Sequence, residues 1–250
     1  MEWKWNASSG RILLSENESD WMTDSHFISA DIIYDESTDS IYLCDGVNRR
    51  IIRWSRQDLS NREIIVSNTD CVDIVMDKEH YLYILDTRNE NVKRWKDGIG
   101  METILDKNFF TENKIGTFYI DLRMAVGSDG SIYISDYVRH VVVKWVKSTS
   151  NGIIVAGGNS SGNELTQLFY PRGIVLDDSD NLYIADPFNN RVVCWEKGAK
   201  QGRLVVGYKD PDDFWNNLNG PSSLAFDKHG NMYVTDSTHH GIKKFPLDLS

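Results

Sequence analysis

The sequence predicts an all-β chain, a β-propeller of five four-stranded blades. Three observations predict it: a block that recurs five times, a fixed offset inside that block, and turn-forming clusters at matching places in each copy. The block is an apolar residue, Tyr, an apolar residue, any residue and Asp. An aromatic follows nine residues after the Asp in every copy. The copies are Ile41-Tyr42-Leu43-Cys44-Asp45 to Trp54, Leu82-Tyr83-Ile84-Leu85-Asp86 to Trp95, and Ile132-Tyr133-Ile134-Ser135-Asp136 to Trp145. Two more run Leu182-Tyr183-Ile184-Ala185-Asp186 to Trp195 and Met232-Tyr233-Val234-Thr235-Asp236 to Phe245. The closing aromatics stand 41, 50, 50 and 50 residues apart. Four-stranded units of this length stack because one unit alone leaves apolar faces open.

Each copy parses into four short strands. The first covers Ile32 to Asp35, Ile74 to Asp77, Met124 to Gly127, Ile174 to Asp177 and Leu224 to Asp227. Turn formers follow it, such as Asp178-Ser179-Asp180-Asn181 and Lys228-His229-Gly230-Asn231, as a tight hairpin requires. The second strand holds the repeated Tyr, and the third runs to the repeated Trp or Phe. The fourth is apolar: Glu63 to Ser67, Glu102 to Leu105, Gly152 to Ala156, Arg203 to Gly207. The strands are rich in β-branched and aromatic residues, and no helical period competes over a long window. The expected blades are about 28–67, 71–105, 121–156, 172–207 and 222–245. The last stops just after its third strand. Arg11 to Ser15 reads as a fourth strand that completes it, with Met1 to Asn6 left over. A six-bladed propeller that lacks its start is the alternative.

Asp followed three residues on by Asn (Asp45/Asn48, Asp86/Asn89, Asp186/Asn189), then by Arg in two copies (Arg50, Arg191), resembles the NHL repeat family. Gly173-Ile174-Val175-Leu176-Asp177 after Pro171 is similar to that family's repeat opening. The third and fifth copies depart from it, with Arg139 and His239 for Asn and Val141 and Gly241 for Arg. The resemblance implies a non-catalytic propeller that docks proteins or RNA. It also admits an alternative, a propeller enzyme of the metal-dependent lyase or lactone hydrolase type. Such enzymes place His, Asn or Glu on inner strands around an axial ion. Of His26, His80, His140, His229, His239 and His240, none falls on an inner strand, and none recurs at a matching place in another blade. The reading is therefore a binding scaffold with no catalytic residues, no metal and no cofactor.

The formal net charge is −10, which argues against a nucleic-acid partner and for a protein one. No run of residues is long and apolar enough to cross a bilayer, and no signal-peptide pattern opens the chain. Cys44, Cys71 and Cys194 are few, scattered and odd in number, so no disulfide framework or metal site is expected and the pattern leans cytoplasmic. Gly157 to Gly162 reads as a flexible loop, because no helix follows it to form a phosphate cradle.

The repeated Asp series reads as turn caps, since identical positions in separate blades lie at one radius and cannot converge on an ion. Binding chemistry is sought where the copies disagree. At the start of the first strand stand Asp31, Asp73, Arg123, Gly173 and Ser223, with Arg172 adjacent. The loops into the first strands carry Trp21 and Met22, Phe109 and Phe110, Phe169 and Tyr170, Phe214 and Trp215. These loops lie at the same end of the strands as the Asp turns. The expected binding residues are Asp31, Asp73, Arg123, Arg172, Trp21, Phe109 and Trp215.

Overall fold

The computed structural model describes residues 29–58, 62–112, 122–147, 149, 151–158, 160–207 and 217–247. The fold is all-β and of the β-propeller class, with one antiparallel sheet for each of the five sequence copies. The described residues up to Ile74 form one compact unit and those from Val75 on a second. Arg11 to Ser15, Trp21 and Trp215 lie outside the described residues.

In the first unit, β1 (Ser29–Asp35), β2 (Ser40–Asp45), β3 (Arg50–Ser55) and β4 (Arg62–Ser67) lie side by side in chain order. Asp45, at the end of β2, is fully buried and accepts hydrogen bonds from Asn48 Nδ2 and Arg50 Nε at 3.0 and 2.9 Å. A correction concerns the cysteines. Cys44 forms a disulfide with Cys71, the first residue of β5 (Cys71–Met76). The pairing arises because the strand after β4 runs past the end of β2. Their Cα atoms come to 5.7 Å although 27 residues separate them. Both are buried. Gly46 beside them has no room for a Cβ, which would collide with the Cys71 carbonyl.

Strand β5 heads a sheet with β6 (Leu82–Asp86), β7 (Asn91–Lys96) and β8 (Gly100–Leu105). The second unit continues with β9 (Arg123–Val126), β10 (Ile132–Asp136), β11 (Val141–Trp145) and β12 (Ile153–Gly157). Next come β13 (Ile174–Leu176), β14 (Leu182–Asp186), β15 (Arg191–Trp195) and β16 (Arg203–Gly207). The last sheet, β17 (Pro221–Phe226), β18 (Asn231–Asp236) and β19 (Gly241–Pro246), has three strands among the described residues.

Burial follows strand position. The second strands β6, β10 and β14 are buried at every residue, so both of their faces pack. The outer strand β8 is exposed over Gly100 to Thr103. Tyr183, Val192, Leu218, Met232, Val234 and Phe245 form one core cluster, and Leu168, Leu182, Ile184, Val193 and Trp195 belong to another.

Two turn types repeat, and both follow from side-chain chemistry. In the hairpin between first and second strands, an Asp accepts two backbone N–H groups: Asp77 from Glu79 and Tyr81, Asp177 from Ser179 and Asn181, Asp227 from His229 and Asn231. The last loop residue is left-handed in each copy: Asp39, His80, Gly130, Asp180 and Gly230. The three-residue loops after Asp77, Gly127, Asp177 and Asp227 need that conformation, and the four-residue loop of the first copy ends the same way. In the turn between second and third strands the left-handed residue is Arg49, Glu90, His140, Asn190 and His240. The Asp that opens this turn is buried in every copy, as a cap should be.

Each of these buried carboxylates has a cation, but from different positions. Asp86 meets Lys93 at 2.9 Å, Asp136 meets Arg139 at 3.9 Å, Asp186 meets Arg191 at 2.8 Å, and Asp236 meets Lys243 at 3.2 Å. The third and fifth copies thus depart from the repeat in sequence while keeping its electrostatics. A carboxylate removed from water without a partner would be strongly destabilising, so some cation is required while its position is free.

Candidate functional site

The site is built in the second unit from two turns and one loop. Tyr137 to His140 joins β10 to β11. Pro187 to Asn190, which begins as one 3-10 turn, joins β14 to β15. Between them lies the loop that enters β13, carrying Phe169, Tyr170 and Arg172. Two hydrogen bonds hold it. Phe169 N–H donates to Asp186 Oδ1 at 2.8 Å, and Tyr170 N–H donates to His140 Nδ1 at 3.0 Å. The corresponding pair in the last sheet is Asn219 N–H to Asp236 Oδ1 and Gly220 N–H to Asn190 Oδ1, at 3.2 and 2.9 Å. The brackets are therefore a repeat feature, and what they hold is not: Phe169-Tyr170 in one place, Asn219-Gly220 in the other.

The held rings form one cluster. Phe169 stacks on Tyr170 with centroids 5.0 Å apart, Tyr170 lies 4.5 Å from Tyr137 and 4.5 Å from His140, and Phe188 sits 4.8 Å from Tyr170. The Arg172 guanidinium lies over Tyr137 at 5.4 Å. Phe188 is 56% exposed and Val138 39% exposed, so the cluster presents apolar surface to solvent. Tyr170 has φ +57°, in the left-handed region, where its counterpart Gly220 has φ +66°. A bulky side chain there is a strained choice, costing on the order of 1 kcal/mol. The ring contacts and the His140 bond hold it in place.

Burial lowers the His140 pKa below its ordinary value, against the opposing pull of Asp136 and Asp186. Protonation would put a hydrogen on Nδ1 and remove the acceptor for Tyr170 N–H. The neutral form is thus favoured on folding. Its contribution is complete above the unfolded value of about 6.5 and is lost as pH falls through the lower folded value. Melting temperatures between pH 7.5 and 5 should therefore fall less steeply in His140→Asn than in wild type. Asn keeps an acceptor at this position, as Asn190 does, but does not titrate. Parallel slopes in the two proteins would show that His140 contributes nothing.

Five of the seven residues expected to bind are described: Asp31, Asp73, Arg123, Arg172 and Phe109. Arg172 enters the ring cluster. Arg123 starts β9, its N–H bound by Ser135 Oγ at 3.1 Å and its Nη1 donating to the Leu122 carbonyl at 3.0 Å. Asp31 lies in the first unit and accepts Ile74 N–H at 3.1 Å, a structural duty, and Asp73 is 5% exposed. Phe109 is corrected from surface to core. It falls in α1 (Lys107–Glu112), whose start is capped by Asp106, and this short helix leaves both Phe109 and Phe110 buried. Sequence reasoning named Phe169 and Tyr170 but missed Tyr137, Val138, His140 and Phe188. The available signal was the variety at the two positions after the repeated Asp: Gly46-Val47, Thr87-Arg88, Tyr137-Val138, Pro187-Phe188 and Ser237-Thr238. The reading of unmatched histidines is also corrected, since His140 and His240 occupy the same left-handed turn position. The chain that follows the glycine-rich loop is tied to the turn after β14: Asn189 Nδ2 donates to the Gly162 carbonyl, and Arg191 donates to the carbonyls of Asn163, Glu164 and Gln167.

At the opposite end of these strands the hairpins enclose a cavity of about 590 Å³, lined by Met76, Tyr83, Arg94, Trp145, Asp177 and Asp180 among others. Two of its carboxylates are already engaged. Asp177 caps its own turn, and Asp180 accepts both the N–H and the hydroxyl of Ser128 and meets Lys197. Among the described residues no three His, Cys, Asp or Glu side chains are grouped to hold a metal ion. No helix there is long and apolar enough to cross a membrane.

No family model and no curated protein sequence matches the chain. Solved structures do match in fold. An auxiliary nutrient binding protein from Bacteroides thetaiotaomicron is 14% identical, with a TM-score of 0.63 over 85% of this chain and 57% of its own. Virginiamycin B lyase from Staphylococcus aureus is 11% identical, with a TM-score of 0.51 over 88% and 70%. A nidogen/laminin complex contains a chain 17% identical, with a TM-score of 0.61 over 86% and 74%. The chain thus spans little more than half the length of the first of these. At such identities the likeness establishes the β-propeller fold alone.

Proposed function

We propose that the chain is a non-catalytic binding scaffold of the NHL-repeat type that docks a protein on the face formed by Tyr137 to His140, Phe169 to Arg172 and Pro187 to Asn190. The observation that carries the reading is the Tyr170 backbone. The repeat provides a glycine conformation there, and this copy fills it with an aromatic that anchors a half-exposed ring cluster. Packing alone does not require it, because the equivalent loop holds with Asn219 and Gly220. Exposed aromatic clusters with an Arg at the margin are typical anchors of protein interfaces.

Affinity capture with three proteins tests this: wild type, Tyr170→Gly paired with Phe188→Ala, and Lys228→Glu in the hairpin at the other strand end. Partners retained by wild type and Lys228→Glu, and lost from the double variant at an unchanged melting temperature, are the expected result. Loss on Lys228→Glu alone would move the docking face to the hairpins. Stoichiometric Ca²⁺ or Zn²⁺ after extensive dialysis would favour a propeller enzyme instead.

A further inference from the structure

We infer that His140 is a proton switch: protonation of its ring releases the loop that carries Phe169 and Tyr170 and takes the docking face apart; this rests on the docking face just proposed. Two brackets of one geometry differ in a single respect. In the sheet of β13 to β16, Asn190 Oδ1 accepts Gly220 N–H at 2.9 Å. In the sheet of β9 to β12, His140 Nδ1 accepts Tyr170 N–H at 3.0 Å. Both acceptor atoms are bonded to Cγ, both residues hold the left-handed turn position, and each accepts from a left-handed residue of the following loop. Asn Oδ1 accepts at any ordinary pH. His Nδ1 accepts only while the ring is neutral, and a proton there sets donor against donor. The titrating bracket is the one that holds the aromatic cluster.

Tyr170 holds a strained backbone, with φ +57°. Without the His140 bond that strain is relieved by leaving the left-handed region, which carries the ring away from Tyr137 and Phe188. Among the described residues, the charged and titratable groups around His140 come from its own turn, the turn after β14 and the loop. Its own turn brings Asp136, fully buried and 3.9 Å from Arg139. The turn after β14 brings Asp186, fully buried and bound by Arg191 Nε at 2.8 Å. The loop brings the Tyr170 phenol and Arg172, which lies over Tyr137. Burial lowers the His140 pKa, and the two carboxylates oppose it. The closed loop is therefore favoured above the open-state value of about 6.5 and loses that advantage as pH falls through the lower closed-state value. Burial also raises the Asp186 carboxyl. That group binds Phe169 N–H whether or not residue 140 is His, so a His140 variant separates the two.

The test is amide hydrogen exchange, read by NMR on the full chain with no partner present, between pH 7.5 and 5.0 and corrected for intrinsic rates. In wild type, protection of the Tyr170 N–H should fall about tenfold across that range while protection of the Gly220 N–H holds. In His140→Asn neither should fall. In Asn190→His the fall should appear at Gly220, because the titrating acceptor has been moved there. This turn position already accepts His at His140 and His240. A 4-fluorophenylalanine label at Phe188, which touches Tyr170, should shift with the same pH midpoint in wild type and stay put in His140→Asn. Constant Tyr170 protection in wild type would overturn the inference, and so would an equal fall in His140→Asn, which would assign the opening to Asp186. A label that ignores pH would show that the rings stay together and would overturn it too. If His140→Asn does not fold, Asn190→His decides, and constant protection at Gly220 there overturns the switch. Because exchange is read without a partner, its failure leaves the docking face standing, and failure of the capture experiment leaves the switch standing.

Discussion

Replacing Trp195 with Ala is expected to destabilise the protein by about 3 to 5 kcal/mol, the range for deleting a buried large aromatic. Trp195 closes its repeat, pairs with Leu182 across β14 and β15, and is 3% exposed. It shares a core cluster with Leu168, Ile184 and Val193, and Ala199 packs against that cluster. Truncation removes ring contacts from several strands at once, and a cluster drawn from separate strands cannot collapse into the space. Urea denaturation checks it. The midpoint should fall while the dependence on urea stays the same, and Trp195→Phe should cost less because it keeps part of the ring. A midpoint equal to wild type would mean that the ring is an exposed surface and not packing.

Breaking the Cys44–Cys71 bridge is expected to cost about 3 to 4 kcal/mol, from the chain entropy released to the unfolded state by a 27-residue span. Both sulfurs are buried, so Ser at either position would also leave a hydroxyl in an apolar site. Ala at both positions separates the two effects. Denaturant midpoints with and without reductant measure the bridge in wild type, and the double Ala variant should show no response to reductant. Thiol titration gives an independent reading. Burial raises the Cys194 thiol pKa, so the assay is run in denaturant. One thiol should react before reduction and three after. Three before reduction would show that the bridge does not form.

The cysteine pair also shows why some of the molecule was illegible in sequence. Neither spacing nor number pointed to pairing, since the two residues occupy unrelated repeat positions, one at the end of a second strand and one at the start of a first. Only the path of the chain from one sheet into the next places them 5.7 Å apart. Phe109 failed for a related reason. A loop aromatic reads the same whether it faces water or core, and the helix capped by Asp106 decided that it is buried.

What the sequence by itself determined is the blade. The alternation around Tyr42, Tyr83, Tyr133, Tyr183 and Tyr233, and the Asp that ends each second strand, specify strand, turn and strand through local chemistry alone. A carboxylate that caps nearby N–H groups needs no knowledge of the rest of the chain. The tertiary structure decided which departures from the repeat come together. Tyr137, Tyr170, Arg172 and Phe188 come from two turns and an intervening loop, and no sequence interval links them. They meet because His140 and Asp186, on different sheets, each bind a backbone N–H of one loop. Periodicity reports what every copy shares, whereas a binding face is made of what a few copies hold differently, and only packing shows which of those differences touch.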